Sequence, residues 1–402
     1  MRLDNLNQKS KDLGNVRSVI REIFEYGNRR AAEIGRENVF DFSLGNPSIP
    51  APREVTDALV SLLTEKDPVL VHGYTSAPGS MATREAIAAD INRRHGAGVL
   101  AEDIYMTCGA AASLTCSLNA LVEEGDEVIA IAPYFPEYRV FAERAGAAFV
   151  AVAPDTERFQ INFAALRAAI TPRTKAVIVN SPNNPTGVVY TPETVKTLCD
   201  LLREKSEEFG APIYLLADEP YRELVYDAEI EVPYLINCYD YTLVCYSFSK
   251  SLSLPGERIG YVAVSNKMPH HKDVFAAVAG AGRALGFVCA PSLFQHVIPE
   301  VLGKTGDLDA YRRNRDLLYG SLSEMGFTSV HPDGAFYLFM KSPEEDASAF
   351  CRRAKKYELL LVPGDSFGAP GFVRISYCVA EDMIRRSLPA FRLLAGEYGL
   401  CD

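Results

Sequence analysis

Val16, Val19, Ile20, Ile23 and Phe24 recur at i, i+3, i+4, i+7 and i+8, the spacing of one face of an α-helix, so the chain is expected to begin with an amphipathic helix. Beyond Gly45 the pattern changes. Short segments then read as strands: EVIAIA (127–132), AAFVAVA (147–153), KAVIVN (175–180), PIYLLAD (212–218), TLVCYS (242–247) and RIGYVAV (258–264). Most are nearly continuous apolar runs, which a strand shows when both of its faces are covered. Helical stretches separate several of them. TPETVKTLCDLLREKSEEFG, for example, starts at a Thr-Pro and stops at Gly210. That order predicts a mainly parallel α/β sheet.

From about residue 290 the pattern shifts to longer helices, then DGAFYLFM (333–340), FVRISYC (372–378) and a closing helix after Ala380. These read as a smaller α+β lobe, which the first helix is expected to join. The expected division is a large domain over 46–288 and a small one made of 1–45 and 289–402. A chain of 402 residues is long enough for two such cores.

With 48% hydrophobic and 23% charged residues the composition is that of a soluble globular enzyme. A net charge of -11 argues against nucleic acid, which demands a surplus of Lys and Arg, though local arginines can still make a pocket for a small anion. Nine cysteines show no CxxC pair and no zinc-ligand spacing, so no metal is expected and reduced thiols point to the cytoplasm. The polar start MRLDNLNQKSKDLG lacks the apolar region of a signal peptide. No run approaches the roughly 20 apolar residues that span a bilayer, so no membrane partner is expected.

Chemistry concentrates in a few strings. In YSFSKSLSLPGERIGY (246–261), Lys250 directly follows a buried strand, where a desolvated amine loses its proton more easily and becomes nucleophilic. Eight residues on, Arg258 could grip a phosphate; a surface lysine beside a structural arginine is the bland alternative. Asp218 ends the strand of IYLLADEPY, with Tyr221 three residues later. A carboxylate there needs a partner such as a pyridinium N–H, unless it merely caps a turn. Asn184, in VNSPNNPTGVVY, could bond a phenolic oxygen or simply belong to the Asn-Pro-Thr-Gly turn. Gly109 in MTCGAAAS opens a helix whose free N–H groups suit a phosphate. APYFPEY offers an aromatic face, or just core. Arg374 interrupts the strand FVRISYC, and a buried arginine demands an anion, either a substrate carboxylate or an internal ion pair.

Lys, Asp, Asn and an aromatic thus follow different strands at the same edge of one sheet. The order GAAAS, PYFPEY, SPNNPTG, DEPY, SFSK, GERIG and R-x-S resembles the class I/II aminotransferases, the fold type I pyridoxal-phosphate enzymes, from about Leu44-Gly45-Asn46-Pro47 to Arg374. The resemblance implies a large domain with a mainly parallel seven-stranded sheet sandwiched by helices, a smaller α+β domain, and pyridoxal 5'-phosphate as cofactor. It implies that Lys250 carries the Schiff base and shuttles the proton, that Asp218 pairs with the pyridinium nitrogen, and that Tyr221 and Asn184 bond the phenolic oxygen. Phe135 would stack on the ring, Ser247, Arg258 and the Gly109 and Ala110 amides would cradle the phosphate, and Arg374 with the Gly45 backbone would hold the substrate carboxylate. Ala110 stands where many relatives carry a hydroxyl, which shifts that contact towards backbone amides. Tyr74, in HGYTSAPG, would reach the cofactor of a neighbouring subunit, so the resemblance implies a homodimer. Arg283 is a candidate, by neighbourhood, for reading a side-chain carboxylate.

The expected activity is transfer of an amino group from an L-amino acid to a 2-oxo acid in a ping-pong cycle. A carbon–sulfur β-lyase on the same fold is the rival reading, and a non-catalytic ligand-binding module a more distant one.

Overall fold

The computed structural model describes residues 6–15 and 18–401. Strand segments assemble into a seven-stranded sheet in the order Ile104–Thr107, Gly260–Val264, Thr242–Ser247, Tyr214–Asp218, Thr174–Asn180, Glu127–Ile131, Ala148–Val152. Gly260–Val264 is antiparallel to both its neighbours, and the remaining pairs are parallel. Every strand predicted from an apolar run is present. Ile104–Thr107 was not among them, because its four residues merge in sequence with the small-residue run that follows.

The continuous apolar runs have a direct cause. Alternate residues of one strand enter opposite cores: Val177 and Val179, with Leu215 and Ala217, pack on one face. Ala176 and Ile178, with Leu216, pack on the other. The first face is covered by Leu198 and Leu202 of the helix Pro192–Phe209 and by Ile87 of Met81–His95. The second is covered by Leu114 and Leu118 of the helix Ala110–Leu121 and Val278 of His271–Ala284. Pro192–Phe209 is capped as its sequence predicts, with Thr191 accepting from the Thr194 amide and Gly210 left-handed at φ 66°.

The smaller lobe builds on Tyr337–Lys341, which pairs antiparallel with Phe372–Ser376; the latter also pairs with Val362–Pro363. Its core contains Leu318, Phe350, Ile375 and Phe391, from three helices and the sheet. One helix beyond residue 289 packs with the large sheet. Ser292–Val301 seats Phe294, Val297 and Ile298 in the core of the large sheet beside Val55 and Ile87, so packing moves the change of lobe to between this helix and Leu308–Glu324.

The amphipathic pattern near the start yields two helices, Gln8–Asn15 and Val19–Ile34, the second capped by Ser18 accepting from the Arg21 amide; Val16 lies outside the described residues. Ile23 packs with Leu360, Val362 and Phe339, and Arg30 reaches Glu358 at 2.6 Å, which fastens this helix to the small lobe. Among the described residues, no helix is long and apolar enough to cross a membrane.

Leu215 is fully buried in the middle strand of the sheet. Leu215→Ala is expected to cost about 2–5 kcal/mol through lost burial and the cavity left behind. Urea unfolding followed by circular dichroism checks this, and a loss below about 1 kcal/mol would contradict the packing described.

Candidate active site

All strands but one run in the same direction, so Thr107, Ile131, Asn180, Asp218 and Ser247 end at one edge of the sheet. Gly260–Val264 runs the other way, so the segment entering it, with Arg258, arrives at that same edge. A cavity of about 280 Å³ opens there. Gly45, Ala110, Phe135, Asn184, Asp218, Tyr221, Ser247, Lys250, Arg258 and Arg374 all line it. Three sequence candidates do not. Gly109 sits just behind the wall as the N-cap of Ala110–Leu121, whereas Tyr74 is 93% exposed and stands apart from the cavity of its own chain. Arg283 is exposed at the end of the helix His271–Ala284 and does not line this cavity, so neighbourhood in sequence does not bring it to the site.

Lys250 follows the strand Thr242–Ser247, and its Nζ donates to the Gly45 carbonyl at 2.7 Å. Burial pushes its pKa down to about 8, and the nearby positive charges of Arg258 and Arg374 act in the same direction, while the Cys378 sulfur opposes them. A lysine so placed exchanges its proton near pH 8 and supplies far more neutral amine at physiological pH than a solvated lysine, as a nucleophile and proton acceptor must.

Asp218 is 5% exposed. Tyr138 donates its hydroxyl hydrogen bond to Oδ2, whereas Oδ1 is buried without a partner. Burial raises the carboxyl pKa to about 7, against the Tyr138 hydrogen bond that lowers it. Asn180, directly opposite Asp218 in the neighbouring strand, donates to the Asp218 carbonyl at 2.8 Å and accepts from the Asn184 amide at 2.7 Å. It thereby ties together two strand ends that carry site residues. Asn184 Oδ1 in turn accepts from Arg374 Nη1 at 3.1 Å.

Arg374 is 2% exposed. Its other terminal nitrogen donates to the Ser43 carbonyl, its Nε has no partner, and the Tyr337 and Phe367 rings lie 4.7 and 4.9 Å away. Its partners are amide and carbonyl oxygens, so among the described residues the internal ion pair entertained from sequence does not form. Burial lowers the pKa of this guanidinium, and a buried cation without a counter-ion is a site waiting for an anion.

Gly109 needs no Cβ. Its φ is +89°, and a Cβ there would come within 2.8 Å of Arg258 Nη2. That close approach holds the arginine over the start of the helix Ala110–Leu121, where the free N–H groups and the dipole favour an anion. Ser247 and Ser249 line the same region. Sequence reasoning missed Ser249, Asn180, Tyr138 and Tyr337. Tyr337 bonds the Tyr221 hydroxyl at 3.0 Å and covers Arg374. Tyr138 stood in the quoted PYFPEY string and Tyr337 in DGAFYLFM, but nothing in those strings says that one hydroxyl meets Asp218 behind the cavity and the other lines it.

The donor set fits pyridoxal phosphate. An anion-binding corner combines a helix start, hydroxyls and Arg258; a half-buried aromatic ring is offered by Phe135; and a carboxylate oxygen awaits a ring N–H at Asp218. Among the described residues there is no cluster of His, Cys, Asp and Glu that could hold a metal.

Comparison with known proteins agrees. The chain matches the model of the family Aminotransferase class I and II over residues 37–391. It is 33% identical over 394 residues to an aspartate/prephenate aminotransferase of Thermus thermophilus, covering 92% of this chain and 94% of that protein. A crystal structure of an amino transferase from Eubacterium rectale is 56% identical with a TM-score of 0.96, covering 98% of this chain and 99% of that one. Aspartate aminotransferase from Thermus thermophilus with maleate gives 30% identity and a TM-score of 0.85, over 98% and 100%.

The depressed Lys250 pKa is checked on the protein freed of cofactor. The rate of labelling of Lys250 by an amine-directed reagent, followed by peptide mass spectrometry, should rise with a midpoint near pH 8, because the neutral amine is the reactive form. A midpoint above pH 10 would show an ordinary solvated lysine.

Proposed function

Since the chain belongs to the aminotransferase class I and II family and is a pyridoxal-phosphate-dependent aminotransferase, we propose that the cavity around Lys250, Asp218 and Arg374 is its active site. The observation that carries this reading is that three groups share one cavity: the half-buried amine of Lys250 with its lowered pKa, a buried carboxylate oxygen without a partner and a buried guanidinium without a counter-ion. A carbon–sulfur β-lyase is not favoured, as the relatives described above are aminotransferases.

Arg374 binds the substrate α-carboxylate as a planar fork, with the Asn184 amide and the Gly45 backbone completing that end. Ser247, Arg258 and the amides of Gly109 and Ala110 hold the phosphate. Phe135 would cover the cofactor ring, and Tyr221 and Asn184 would bond its phenolic oxygen. Asp218 Oδ1, buried without a partner, would accept from the ring nitrogen. Bound there, pyridoxal phosphate supplies a carbonyl for covalent capture of the amino group and an electron sink for the electrons left at Cα. Lys250 Nζ would take the proton from the substrate Cα as general base and hold it for return. The Gly45 carbonyl gives this ammonium a hydrogen-bond acceptor within reach. The same residues would serve both halves of the ping-pong cycle, Arg374 holding the carboxylate of the amino acid and then that of the 2-oxo acid.

Part of the proposal is a homodimer with shared sites. Tyr74 is exposed beside Val69 and Leu70, which are 76% and 70% exposed, an apolar surface that a second copy would cover. The nine unpaired thiols support a reducing compartment, and we place the enzyme in the cytoplasm.

Lys250→Ala should abolish turnover while circular dichroism and thermal midpoint stay near wild type; near-normal activity in the folded variant would refute the assignment. Arg374→Ala should lower kcat/KM by about 30- to 1,000-fold, the equivalent of roughly 2–4 kcal/mol for a charged two-point contact. Sedimentation should show a dimer, and Tyr74→Phe should weaken cofactor binding about tenfold by equilibrium dialysis, the loss of one charge-assisted hydrogen bond. A monomer, or unchanged affinity, would remove Tyr74 from the site.

A further inference from the structure

Tyr138 lies outside the set of residues the sequence assigns to the cofactor, yet it makes the side-chain contact that fixes Asp218. Its hydroxyl donates to Asp218 Oδ2, and it is 1% exposed in the first turn of the helix Glu137–Ala145. With Oδ2 so occupied, Oδ1 is the one carboxylate oxygen left open, and Asp218 lines the cavity. Phe135, three residues earlier, meets the Tyr138 ring edge-on with centroids 5.7 Å apart. The Tyr138 amide also donates to the Phe135 carbonyl at 3.1 Å. One turn of chain therefore presents both the face that covers the cofactor ring and the hydroxyl that clamps the carboxylate serving its nitrogen.

The other groups around the pair are already committed. Glu219 is held by Arg222 at 2.5 Å. Cys245 contacts the Ser117 hydroxyl at 3.6 Å, and the Tyr221 hydroxyl contacts Tyr337. Asn180 touches only the Asp218 backbone.

Building on the assignment of Asp218 to the ring nitrogen, we propose that Tyr138 is a positioning residue that keeps the shared proton on the cofactor's ring nitrogen rather than on Asp218. The reasoning is a comparison of proton affinities. A buried carboxylate with no donors is a strong base, and a hydrogen bond to Oδ2 stabilises its ionised form. Asp218 already has its carboxyl raised to about 7 despite the Tyr138 bond. Without that bond its affinity rises further, and the proton passes from the ring nitrogen to Oδ1. No net charge is gained or lost: a pyridinium–carboxylate pair becomes a neutral pyridine beside a carboxylic acid. The ring then loses the positive charge that stabilises electrons arriving from Cα. Tyr138 also fixes the carboxyl torsion, so that Oδ1 and not Oδ2 faces the cavity.

The test is Tyr138→Phe, which keeps the ring and its contact with Phe135 and removes only the donor. Holoenzyme is prepared with pyridoxal phosphate labelled with nitrogen-15 in the ring, and the ring signal is read by NMR. Wild type should show a protonated nitrogen. In the variant the signal should move towards the unprotonated position, kcat should fall about 10- to 100-fold, and KM should stay within about threefold. A purely structural role would not move the nitrogen signal. Should the variant fail to fold, 4-aminophenylalanine incorporated at position 138 provides a weaker donor in nearly the same shape, and the signal should move part of the way towards the unprotonated position. A protonated wild-type nitrogen with no shift in whichever of these proteins folds would overturn the role of Tyr138 and leave that of Asp218 standing. An unprotonated nitrogen in wild type would remove Asp218 from its proposed place, and this inference with it.

Discussion

The double covering of the seven-stranded sheet is the constraint from which the rest follows. Its inner strands are apolar on both faces, so a polar side chain on them can be satisfied only where the strand ends. Asp218, Asn180 and Ser247 are the last residues of their strands. Because the strands are nearly all parallel, those ends share an edge, and residues distant in sequence meet without any local signal to recruit them. The antiparallel Gly260–Val264 does the same in reverse, by bringing Arg258 in before the strand starts.

Burial then sets the chemistry. Asp218 and Arg374 are buried and Lys250 half-buried, and each is shifted towards its uncharged form, with desolvation the largest cause in every case. The folded chain does not cancel these costs internally. Lys250 has a carbonyl acceptor, Asp218 a single phenol, and Arg374 an amide and a carbonyl oxygen. Groups held in this under-satisfied state destabilise the empty protein. They interact more strongly with a ligand that supplies what is missing.

The two lobes contribute different parts of this arrangement. The large lobe provides the anion corner and the nearby carboxylate. The small lobe brings Arg374 on the strand Phe372–Ser376, covered by Tyr337 from its neighbour in that sheet. Tyr221 belongs to the large-lobe loop after Asp218, yet packs with Phe336 and Tyr337 in the small-lobe core, so the cavity lies where the lobes touch.

Much of this was legible in the residues. Continuous apolar runs gave the doubly covered strands, and Thr191 and Gly210 marked both ends of a helix. The strings around Lys250, Asp218, Asn184 and Arg374 resembled one family, and that family is the one the comparisons show. Local physics is enough for these features: periodicity, caps, and charged residues at strand ends. The remainder depends on distance through space. The strand Ile104–Thr107 was hidden in a small-residue run, and Ser292–Val301 joined the large core because of its partners, Val55 and Ile87, rather than its own pattern. Arg283 was near in sequence and absent from the cavity, whereas Tyr138 and Tyr337 gave no sign of where their hydroxyls go. The sequence by itself determined which groups stand at the strand ends, since that follows from polarity and period along one segment. Only the tertiary structure decided which oxygen of Asp218 stays open and which arginine lies buried without a counter-ion, because a hydrogen bond between residues 80 apart exists only once the fold has brought them together.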